Sequence, residues 1–301
     1  MLLVTYNNFN TTKECLESIM ATNYPYYNVI IIDNGFTNIT EYNCLKSSLD
    51  CNIHILNQSK ITLNKNIYYY NSENNIGYGA GINKAAEFTK DNQPDFFFIL
   101  NNDTIIPKSF FDDFLSSLPK LDKLDKALYS PVIKNSDNDN IWYAGGKINL
   151  ARCMGTHHTN IPQQNYYETN FISGCCIICT PDIYFKLKGF DENFFLYYED
   201  VDLSIRAKHN NIKIILLSKL FIYHKIGVST GGDNTTITSY FSSRNRIYLM
   251  RKHFNSCTLN RFYCFFIINR IVKIVIAIFT GNFKNIKYII LGIIRGLRIE
   301  I

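Results

Sequence analysis

The chain has 301 residues, enough for one large domain or for a domain with an appendage, and its 47% hydrophobic content excludes a globally disordered protein. The net charge of +6 is unevenly distributed. Residues 241–301 hold eleven Lys or Arg and one acid, Glu300, whereas residues 1–240 hold 20 Lys or Arg and 24 acids. The C-terminal segment is therefore a separate electrostatic unit.

The first third alternates apolar runs with helical patterns. We predict strands at residues 2–5, 29–32, 67–70 and 96–100, and helices at about 11–21 (capped by Thr11 or Thr12), at about 39–48, and from after residue 81 to about 89. Residues 51–66 fit a strand and a loop without clear bounds. Buried strands separated by helices predict a mostly parallel sheet covered on both faces.

The second half is less regular, and no interdomain linker is apparent before about residue 235. We predict strands at about 127–133, 171–179, 213–217 and 221–224, and a helix that Thr180 caps and that runs to about residue 188. Trp142 and Tyr143 fit a sugar-stacking site or core packing equally well. His157 and His158 are expected in a solvated loop.

Residues 240–301 show helical periodicity with interspersed basic residues. The stretch Phe262–Phe279 is strongly apolar, but Arg270 and Lys273 near its middle argue against a membrane-spanning helix. Basic amphipathic helices on an anionic membrane surface are favoured. The alternative is a helical subdomain that packs on the catalytic domain and leaves a basic face in solvent.

The start of the chain and its cysteines bear on the compartment. Met1 leads directly into Leu2-Leu3-Val4, without a basic region or a long apolar core, so we expect no secretory signal. The nine cysteines show no repeated spacing, which favours reduced thiols and a cytoplasmic location. Cys175, Cys176 and Cys179 suggest zinc, but they lack a second ligand pair and are better interpreted as buried strand residues.

An acidic pair, Glu199-Asp200, follows an aromatic-rich run, and Asp202 comes two residues later. Carboxylates beside apolar rings lose hydration, which raises their pKa towards the range that a general base needs. The same pattern is also typical of a helix that begins with acids in its first turn. Both interpretations stay open on this stretch alone.

Three polar segments follow predicted strands: Thr5-Tyr6-Asn7, Asp33-Asn34 and Asn101-Asn102-Asp103. Ligands bind outside the carboxyl ends of such strands. The first strand-to-helix turn has no glycine, which argues against a dinucleotide-binding fold. Asn101 and Asp103 alternate along the chain and would offer two oxygen ligands to a hard divalent cation beside substrate phosphates, although Asn-Asn-Asp is also good turn chemistry.

Six segments in order resemble family 2 glycosyltransferases with the GT-A fold, which include bacterial rhamnosyltransferases and galactofuranosyltransferases. The segments are VTYN (4–7), IIIDNG (30–35), NNIGYGAGINKA (74–85), FFFILNNDT (96–104), SGCCIICTPDIYFKLKGFDENFFLYYEDVDLSIRAK (173–208) and SSRNR (242–246) with the preceding His224. The resemblance covers about residues 1–255. It implies an α/β GT-A catalytic domain over 1–240, with a nucleotide-binding half to about 104 and an acceptor-binding half beyond it, and a basic amphipathic helical tail over 241–301.

The resemblance also implies roles for individual residues. Asp200 matches the catalytic base, Glu199 would assist it, and Asp202 is expected to be structural, bonded to nearby backbone or to Arg206. The predicted metal ligands are Asn101, Asp103 and His224. The predicted nucleotide-sugar contacts are Thr5, Tyr6, Asn7, Asp33, Asn75, Gly77, Asn83, Asn102 and Arg244.

One departure from the family pattern concerns the metal. Asn101 replaces the first Asp of the D-x-D motif, which removes a charge but retains a carbonyl oxygen. We therefore expect a divalent metal, Mn²⁺ or Mg²⁺, bound more weakly, and His224 would favour Mn²⁺.

The implied reaction is inverting transfer of a sugar from a dTDP- or UDP-sugar, dTDP-rhamnose among them, to a hydroxyl of a growing surface polysaccharide on a lipid-linked acceptor. The expected location is the cytoplasm, at the inner face of the cell membrane. A non-catalytic scaffold with a transferase fold is the alternative, and Asn101 is the feature that favours it. We expect no nucleic-acid binding, because the tail is too apolar and has no recognition motif.

Overall fold

The computed structural model describes residues 1–35, 40–49, 53–56, 61–62, 65–118, 127–225 and 235–301, with the backbone alone for 40–42. Helices and strands alternate in the first part of the chain. They are β1 (Leu2–Thr5), α1 (Phe9–Met20), β2 (Asn28–Asp33), α2 (Thr40–Ser48), β3 (Ile53–Ile55), β4 (Asn66–Asn71), α3 (Tyr78–Glu87), β5 (Phe97–Leu100), β6 (Thr104–Ile105) and α4 (Phe110–Ser117).

Strands dominate the middle of the chain, and three helices end it. The elements are β7 (Ala127–Asn135), β8 (Ile141–Tyr143), β9 (Gly146–Asn149), β10 (Met154–His157), β11 (Tyr166–Thr169), β12 (Cys176–Cys179), α5 (Pro181–Lys186), a 3₁₀ turn (Glu192–Phe194), α6 (Glu199–His209), β13 (Lys213–His224), α7 (Thr236–His253), α8 (Ser256–Phe279) and α9 (Phe283–Arg298).

One large mixed sheet organises these elements. Its strand order is β11-β13-β7-β12-β5-β1-β2-β4-β3, with β6 paired to β13 and β8 paired to β7. Neighbouring strands from β5 to β3 run parallel, whereas β12 is antiparallel to both β5 and β7. The predicted α/β class with a helix-flanked, mostly parallel sheet and a C-terminal helical region is confirmed.

Both faces of the sheet are buried. Leu3, Val29 and Ile31 belong to one core cluster, whereas their strand neighbours Leu2 and Ile30 belong to another on the opposite face. Successive side chains of a strand point to opposite faces, so an uninterrupted apolar run is needed where helices cover both sides. This explains why these strands read as continuous apolar runs rather than as alternating patterns.

Most predicted elements are present, with three corrections. Helix α1 begins at Phe9, so neither Thr11 nor Thr12 caps it, and α3 begins at Tyr78 rather than after Gly81. The two strands predicted at 213–217 and 221–224 are one strand, β13, with a register shift between Leu217 and Phe221. Parts of the 51–66 stretch lie outside the described residues.

The short strands β8 to β11 were not predicted, because each has only three or four residues and no clear alternation of apolar and polar side chains. The predicted solvated loop at His157 is wrong. His157 ends β10, and its ring stacks on Phe171 at 5.8 Å and packs edge-on against Trp142 at 4.3 Å between centroids. Cys175, Cys176 and Cys179 are fully buried, as expected of strand residues, and burial raises the pKa of each thiol.

The C-terminal helices are not separate from the rest of the fold along their whole length. The predicted boundary at residue 240 falls inside α7, whose residues 247–250 are buried in the core of the catalytic domain. Helix α9 lies close against α7 at two glycines: a Cβ on Gly292 would come within 2.5 Å of the Tyr240 carbonyl oxygen, and one on Gly296 within 2.5 Å of the Arg244 carbonyl oxygen. Small residues at such positions let two helix backbones approach.

The outward surfaces of α8 and α9 are apolar. Exposed side chains on α8 are Ile267, Ile268, Ile271, Val272, Val275, Ile276, Ile278 and Phe279, and those on α9 include Phe283, Ile290, Ile294 and Leu297. Arg270 is turned inward, where its guanidinium donates to the hydroxyls of Ser242 and Ser243. By length and composition, α8 is the one helix in the described ranges that could cross a membrane.

We expect Gly296→Ala to lower the free energy of unfolding by about 1–3 kcal/mol, because the added methyl group overpacks the α7–α9 contact. The higher helix propensity of Ala opposes this loss by about 1 kcal/mol, so a net loss reports the clash. Urea unfolding measures the difference. The matched control is Ile294→Ala, on the exposed face of the same helix; an equal loss there would contradict the packing role of Gly296.

Candidate active site

The carboxyl ends of β1, β2 and β5 meet at one edge of the sheet, as predicted. Thr5 lies beside Asp33 in the β1–β2 register. The Asn102 side chain donates to the hydroxyls of Thr5 at 3.3 Å and Thr12 at 2.9 Å. The structure thus brings three of the predicted nucleotide contacts together, and the Thr12 hydroxyl is used here rather than as a helix cap.

Asp33 is fully buried at this edge. Burial raises the pKa of its carboxyl group, while hydrogen bonds from the Tyr69 hydroxyl and the Gly35 N–H act in the opposite direction. The Tyr6 ring is half-exposed and covers Gly35, where a Cβ would come within 2.5 Å of the ring. Asn7 is exposed and has a left-handed backbone with φ of 50°. Tyr6 and Asn7 are therefore accessible to a ligand, whereas Asp33 is not.

Asn75 and Gly77 shape the turn before α3. The Asn75 side chain accepts a hydrogen bond from the Gly77 N–H at 2.9 Å, and the Asn34 side chain donates to the Gly77 carbonyl oxygen at 2.7 Å. Gly77 has φ of +89°, and a Cβ would come within 2.6 Å of the Phe195 carbonyl oxygen. This turn therefore requires glycine, because it combines a left-handed backbone with close approach of the segment that precedes the acidic pair.

The side-chain amide of Asn83 is not free to contact a nucleotide. Its Nδ2 donates to the Phe190 carbonyl oxygen at 2.9 Å and to Glu192, and its Oδ1 accepts from the Tyr184 hydroxyl and the Phe190 N–H. Both ends of the side chain are thus used to join α3 to the segment before the acidic pair. A direct nucleotide contact by Asn83 has no support in this geometry.

Asp103 and His224 are buried neighbours, with 3.1 Å between Asp103 Oδ1 and His224 Nε2. Strand β13 positions His224 opposite Thr104 of β6. The buried Nδ1 of His224 has no hydrogen-bond partner among the described residues. Trp142 packs against the His224 ring at 4.9 Å between centroids, so it is a wall of this site.

The acidic pair begins α6, and both interpretations of it hold, because it is a helix start as well as a buried cluster. Burial raises the pKa of Glu199, and the neighbouring Asp200 raises it further. Burial also raises the pKa of Asp200, but N–H donors from Gly174 at 3.1 Å and Val201 at 2.7 Å favour its ionised form. Glu199 Oε2 is buried without a hydrogen-bond partner among the described residues. Asp200 is therefore the carboxylate of the pair that ionises more readily.

Two consecutive residues connect this pair to the Asn101–Asp103 segment. The Gly174 N–H donates to Asp200 Oδ2, and the Cys175 carbonyl oxygen accepts from the Asn101 N–H at 3.0 Å. The candidate base and the predicted metal motif consequently lie next to each other. Strand β12 begins at Cys176 rather than at residue 171 as predicted.

Tyr78 is a site residue that the sequence analysis missed. Its hydroxyl donates to the Gly174 carbonyl oxygen at 3.1 Å, and its N–H donates to the Phe195 carbonyl oxygen. Burial raises its pKa, with Glu199 as the next contribution, so Tyr78 lies beside the acidic pair. Its position inside the NNIGYGAG segment was the available signal.

Arg244 contacts protein rather than the nucleotide edge. Its guanidinium donates to the carbonyl oxygens of Asn193 at 2.7 Å and Phe194 at 3.2 Å, and to Asn245 Oδ1. The predicted diphosphate contact has no support in this arrangement.

Asp202 is structural, as expected, and does more than bond Arg206. Its buried carboxylate accepts from Arg206 Nε at 2.6 Å, Lys252 Nζ at 2.7 Å and His253 Nε2 at 2.7 Å. Burial alone would raise its pKa, but these three partners hold it at about 2. Asp202 thereby fastens the end of α7 to the helix that carries the acidic pair.

The sheet, its polar edge and the adjoining buried acids are those of a GT-A glycosyltransferase. The family model "Glycosyl transferase family 2" matches residues 1–184, and the chain belongs to this family. The protein is therefore a glycosyltransferase. The match ends before the acidic pair, so that part of the site depends on the geometry above and on the longer relatives.

Characterised relatives are similar at low identity. The chain is 23% identical over 278 residues to the N-acetylglucosaminyl-diphospho-decaprenol L-rhamnosyltransferase of Mycobacterium tuberculosis. The match covers 84% of each of the two chains. It is 20% identical over 229 residues to the rhamnosyltransferase WbbL of Escherichia coli, covering 71% of this chain and 78% of WbbL. Glycosyl transfer in polysaccharide biosynthesis is the activity that these relatives support.

Solved structures share the fold. A structure of GalNAc-T7 with UDP, GalNAc and Mn²⁺ matches with a TM-score of 0.56 and 13% identity, covering 83% of this chain but 47% of that one. S. aureus TarS in complex with UDP-GlcNAc matches with a TM-score of 0.55 and 14% identity, covering 86% of this chain and 68% of TarS.

Asp202→Asn should lower the free energy of unfolding by about 3 kcal/mol at neutral pH, because Arg206 and Lys252 are then left without their buried carboxylate. The folded pKa of about 2 lies below the ordinary Asp value, so the contribution of Asp202 is present above about pH 4 and is lost as the pH falls towards 2. Urea unfolding at pH 7 and near pH 3 checks this, since the gap between wild type and variant should narrow in acid.

The matched control for this prediction is Asp139→Asn, which breaks the exposed ion pair of Asp139 with Lys134 and should cost less than about 1 kcal/mol. A gap for Asp202→Asn that is equally small, or that does not change with pH, would contradict the role assigned to Asp202.

Proposed function

We propose that this protein is an inverting glycosyltransferase that moves a sugar from a dTDP- or UDP-sugar, such as dTDP-rhamnose, to a hydroxyl of a lipid-linked glycan. One observation carries the proposal: Asp200 and the Asn101–Asp103 segment are held by consecutive residues, Gly174 and Cys175. In such a reaction the base and the site for the leaving diphosphate act on the same anomeric carbon from opposite faces, so they must lie close together. The names of the relatives, two of them rhamnosyltransferases, support the sugar and the acceptor class.

Asp200 is the general base in this proposal. It takes the proton of the acceptor hydroxyl while that oxygen attacks the anomeric carbon from the face opposite the leaving diphosphate, so a single displacement inverts the configuration. The backbone N–H donors on Asp200 keep it ionised, whereas the buried Glu199 retains a proton and can donate a hydrogen bond to the acceptor.

The residues at the strand edge fit a divalent cation. Asp103 Oδ1 and His224 Nε2 are 3.1 Å apart, the separation expected of two neighbouring ligands of one octahedral ion. Together with the Asn101 amide they would hold Mn²⁺ in preference to Mg²⁺. When bound, the ion would neutralise charge on the diphosphate. Among the described residues, no group of three or more His, Cys, Asp or Glu side chains is placed to hold a metal ion.

The nucleotide edge supplies the donor site in this proposal. Tyr6 and Asn7 are accessible and would contact the base, and the buried residues Thr5 and Asp33 lie beside them at the same strand ends, with Asn102 bonded to Thr5. Gly77 and Asn75 shape the adjoining turn. GT-A structures with UDP and with UDP-GlcNAc support a nucleotide-sugar donor.

The C-terminal helices suit an anionic membrane surface at the inner face of the cell membrane. Helix α9 has three lengthwise stripes: a buried one facing α7, an exposed apolar one, and between them a basic one formed by the exposed residues Lys284, Lys287, Arg295 and Arg298. The apolar stripe continues the exposed face of α8. Such a helix lies in the interface with its apolar side in lipid and its cations at the headgroups.

Asp200→Asn should reduce glycosyl transfer by about 10³-fold and leave donor binding unchanged, because the amide keeps the shape of the side chain but cannot accept the proton. A thermal-shift screen of nucleotide sugars with Mn²⁺ and Mg²⁺ selects the donor, and turnover and calorimetric binding are then measured. Glu199→Gln mimics the protonated acid and should stay within about tenfold of wild type. Near-wild-type turnover of Asp200→Asn would refute the assignment, and an inactive wild type that binds no nucleotide sugar would favour the scaffold alternative.

The full chain should bind anionic phosphatidylglycerol vesicles at low salt but not neutral phosphatidylcholine vesicles. The double variant Lys284→Glu/Lys287→Glu should weaken this binding by at least about tenfold, because each basic residue near the surface contributes about 1 kcal/mol. Vesicle co-sedimentation measures binding, and Lys147→Glu, an exposed charge reversal on β9, is the matched control. A chain that stays in the supernatant with anionic vesicles has no membrane role.

A further inference from the structure

The segment that precedes the acidic pair has an unusual backbone. Within residues 193–198, the acid-pair loop, Phe195, Tyr197 and Tyr198 all have positive φ angles, on the left-handed side of the Ramachandran map, of 63°, 68° and 74°. This region is rarely adopted by aromatic residues, and three occurrences in four positions need a surrounding structure that fixes them. Tyr198 is the N-cap of α6, so the direction of this loop sets where Glu199 and Asp200 lie.

Asn245 of α7 supplies much of that structure. Its side-chain Nδ2 donates to the carbonyl oxygens of Phe194 at 2.9 Å, Leu196 at 2.8 Å and Tyr197 at 2.9 Å. Asn245 is fully buried, and its Oδ1 accepts a hydrogen bond from Arg244. The two N–H groups of this amide are therefore shared among three carbonyl oxygens of the loop, of which that of Phe194 also accepts from the Leu196 N–H at 2.7 Å.

Neighbouring donors complete the arrangement. Arg244 reaches the carbonyl oxygens of Asn193 and Phe194, and the Tyr78 N–H reaches that of Phe195 at 2.7 Å. The Tyr198 carbonyl oxygen accepts from the Asp202 N–H within α6. Each carbonyl group of the acid-pair loop is therefore hydrogen-bonded.

We infer that Asn245 is a positioning residue for glycosyl transfer: it holds the acid-pair loop in its left-handed form and so fixes the Asp200 carboxylate at the reacting hydroxyl. This inference rests on the proposed role of Asp200 as base. Asn245 touches neither donor nor acceptor in this scheme and acts only through the loop. A displacement of about 1 Å at a reacting group is enough to lower the rate about 100-fold.

Asn245→Ala should lower kcat by about 10–100-fold, while the Kd for dTDP or UDP with Mn²⁺ stays within about twofold of wild type. Hydrogen exchange of the amides of residues 194–200 should accelerate, and that of β1 and β5 should not. The matched control is Asn210→Ala, which removes a similar bond, from Asn210 Nδ2 to the Arg206 carbonyl oxygen at 2.8 Å, at the other end of α6. That control should keep wild-type kcat.

If Asn245→Ala does not fold, as judged by circular dichroism, Arg244→Gln replaces it. That variant keeps the Asn245 donor but loses the bonds of Arg244 to Asn193, Phe194 and Asn245 Oδ1, so a smaller loss of kcat with unchanged nucleotide binding is expected. Weakened nucleotide binding at unchanged kcat would instead assign Arg244 to the diphosphate and overturn the inference.

Asp200→Asn is measured in parallel so that two failures can be told apart. A folded Asn245→Ala with wild-type kcat, beside an inactive Asp200→Asn, overturns the positioning role alone. An active Asp200→Asn overturns the proposed base and the inference with it. A loss of kcat in Asn210→Ala equal to that in Asn245→Ala also overturns the inference, because it would show a general effect of weakening α6.

Discussion

The site depends on the peptide groups of Gly174 and Cys175. The Gly174 N–H binds the Asp200 carboxylate, and the Cys175 carbonyl oxygen accepts from the Asn101 N–H. Because consecutive Cα atoms are about 3.8 Å apart, this short stretch of chain keeps the acidic helix close to the polar strand edge. A Cβ on Gly174 would lie 3.4 Å from the Asp200 Cβ, in ordinary van der Waals contact.

Three acids in four residues of one helix have different electrostatic properties because their partners differ. Glu199 is buried without compensation at Oε2, Asp200 is buried but receives backbone donors, and Asp202 is surrounded by cations. These partners come from segments about 26 residues before and 50 residues after the helix. The local sequence EDVD therefore identifies a cluster of acids, and only the fold gives each of the three a different environment.

Much of the parallel half of the sheet could be predicted, because strands buried on both faces appear as continuous apolar runs such as Val29–Ile32. The meeting of Thr5, Asp33 and Asn102 followed from the rule that parallel strand ends share an edge. Strands β8 to β11 could not be predicted in this way, because half-exposed polar strands such as Tyr166–Thr169 are specified by pairing with β13 rather than by their own pattern.

Residues that act through long-range hydrogen bonds were the hardest to assign. Asn83 and Arg244 were predicted at the nucleotide, yet both donate to the segment that leads into α6. Their motifs carried the signal that they matter, but a sequence motif does not say which partner a polar side chain selects. Tyr78 and Asn245 also lie within family motifs, but their roles were not predicted for the same reason.

The close contact between α9 and α7 links the apolar outer surface of the C-terminal helices to the candidate active site. Gly296 lies against the backbone of Arg244, and Arg244 and Asn245 reach the loop before the acidic pair. Helix α9, whose outer face is apolar, thus also packs behind α7, the helix that supports the loop before the acidic pair. A shortened chain that keeps the family-matched residues 1–184, or that drops the apolar helices to improve handling, would lose part of its catalytic framework as well as its surface.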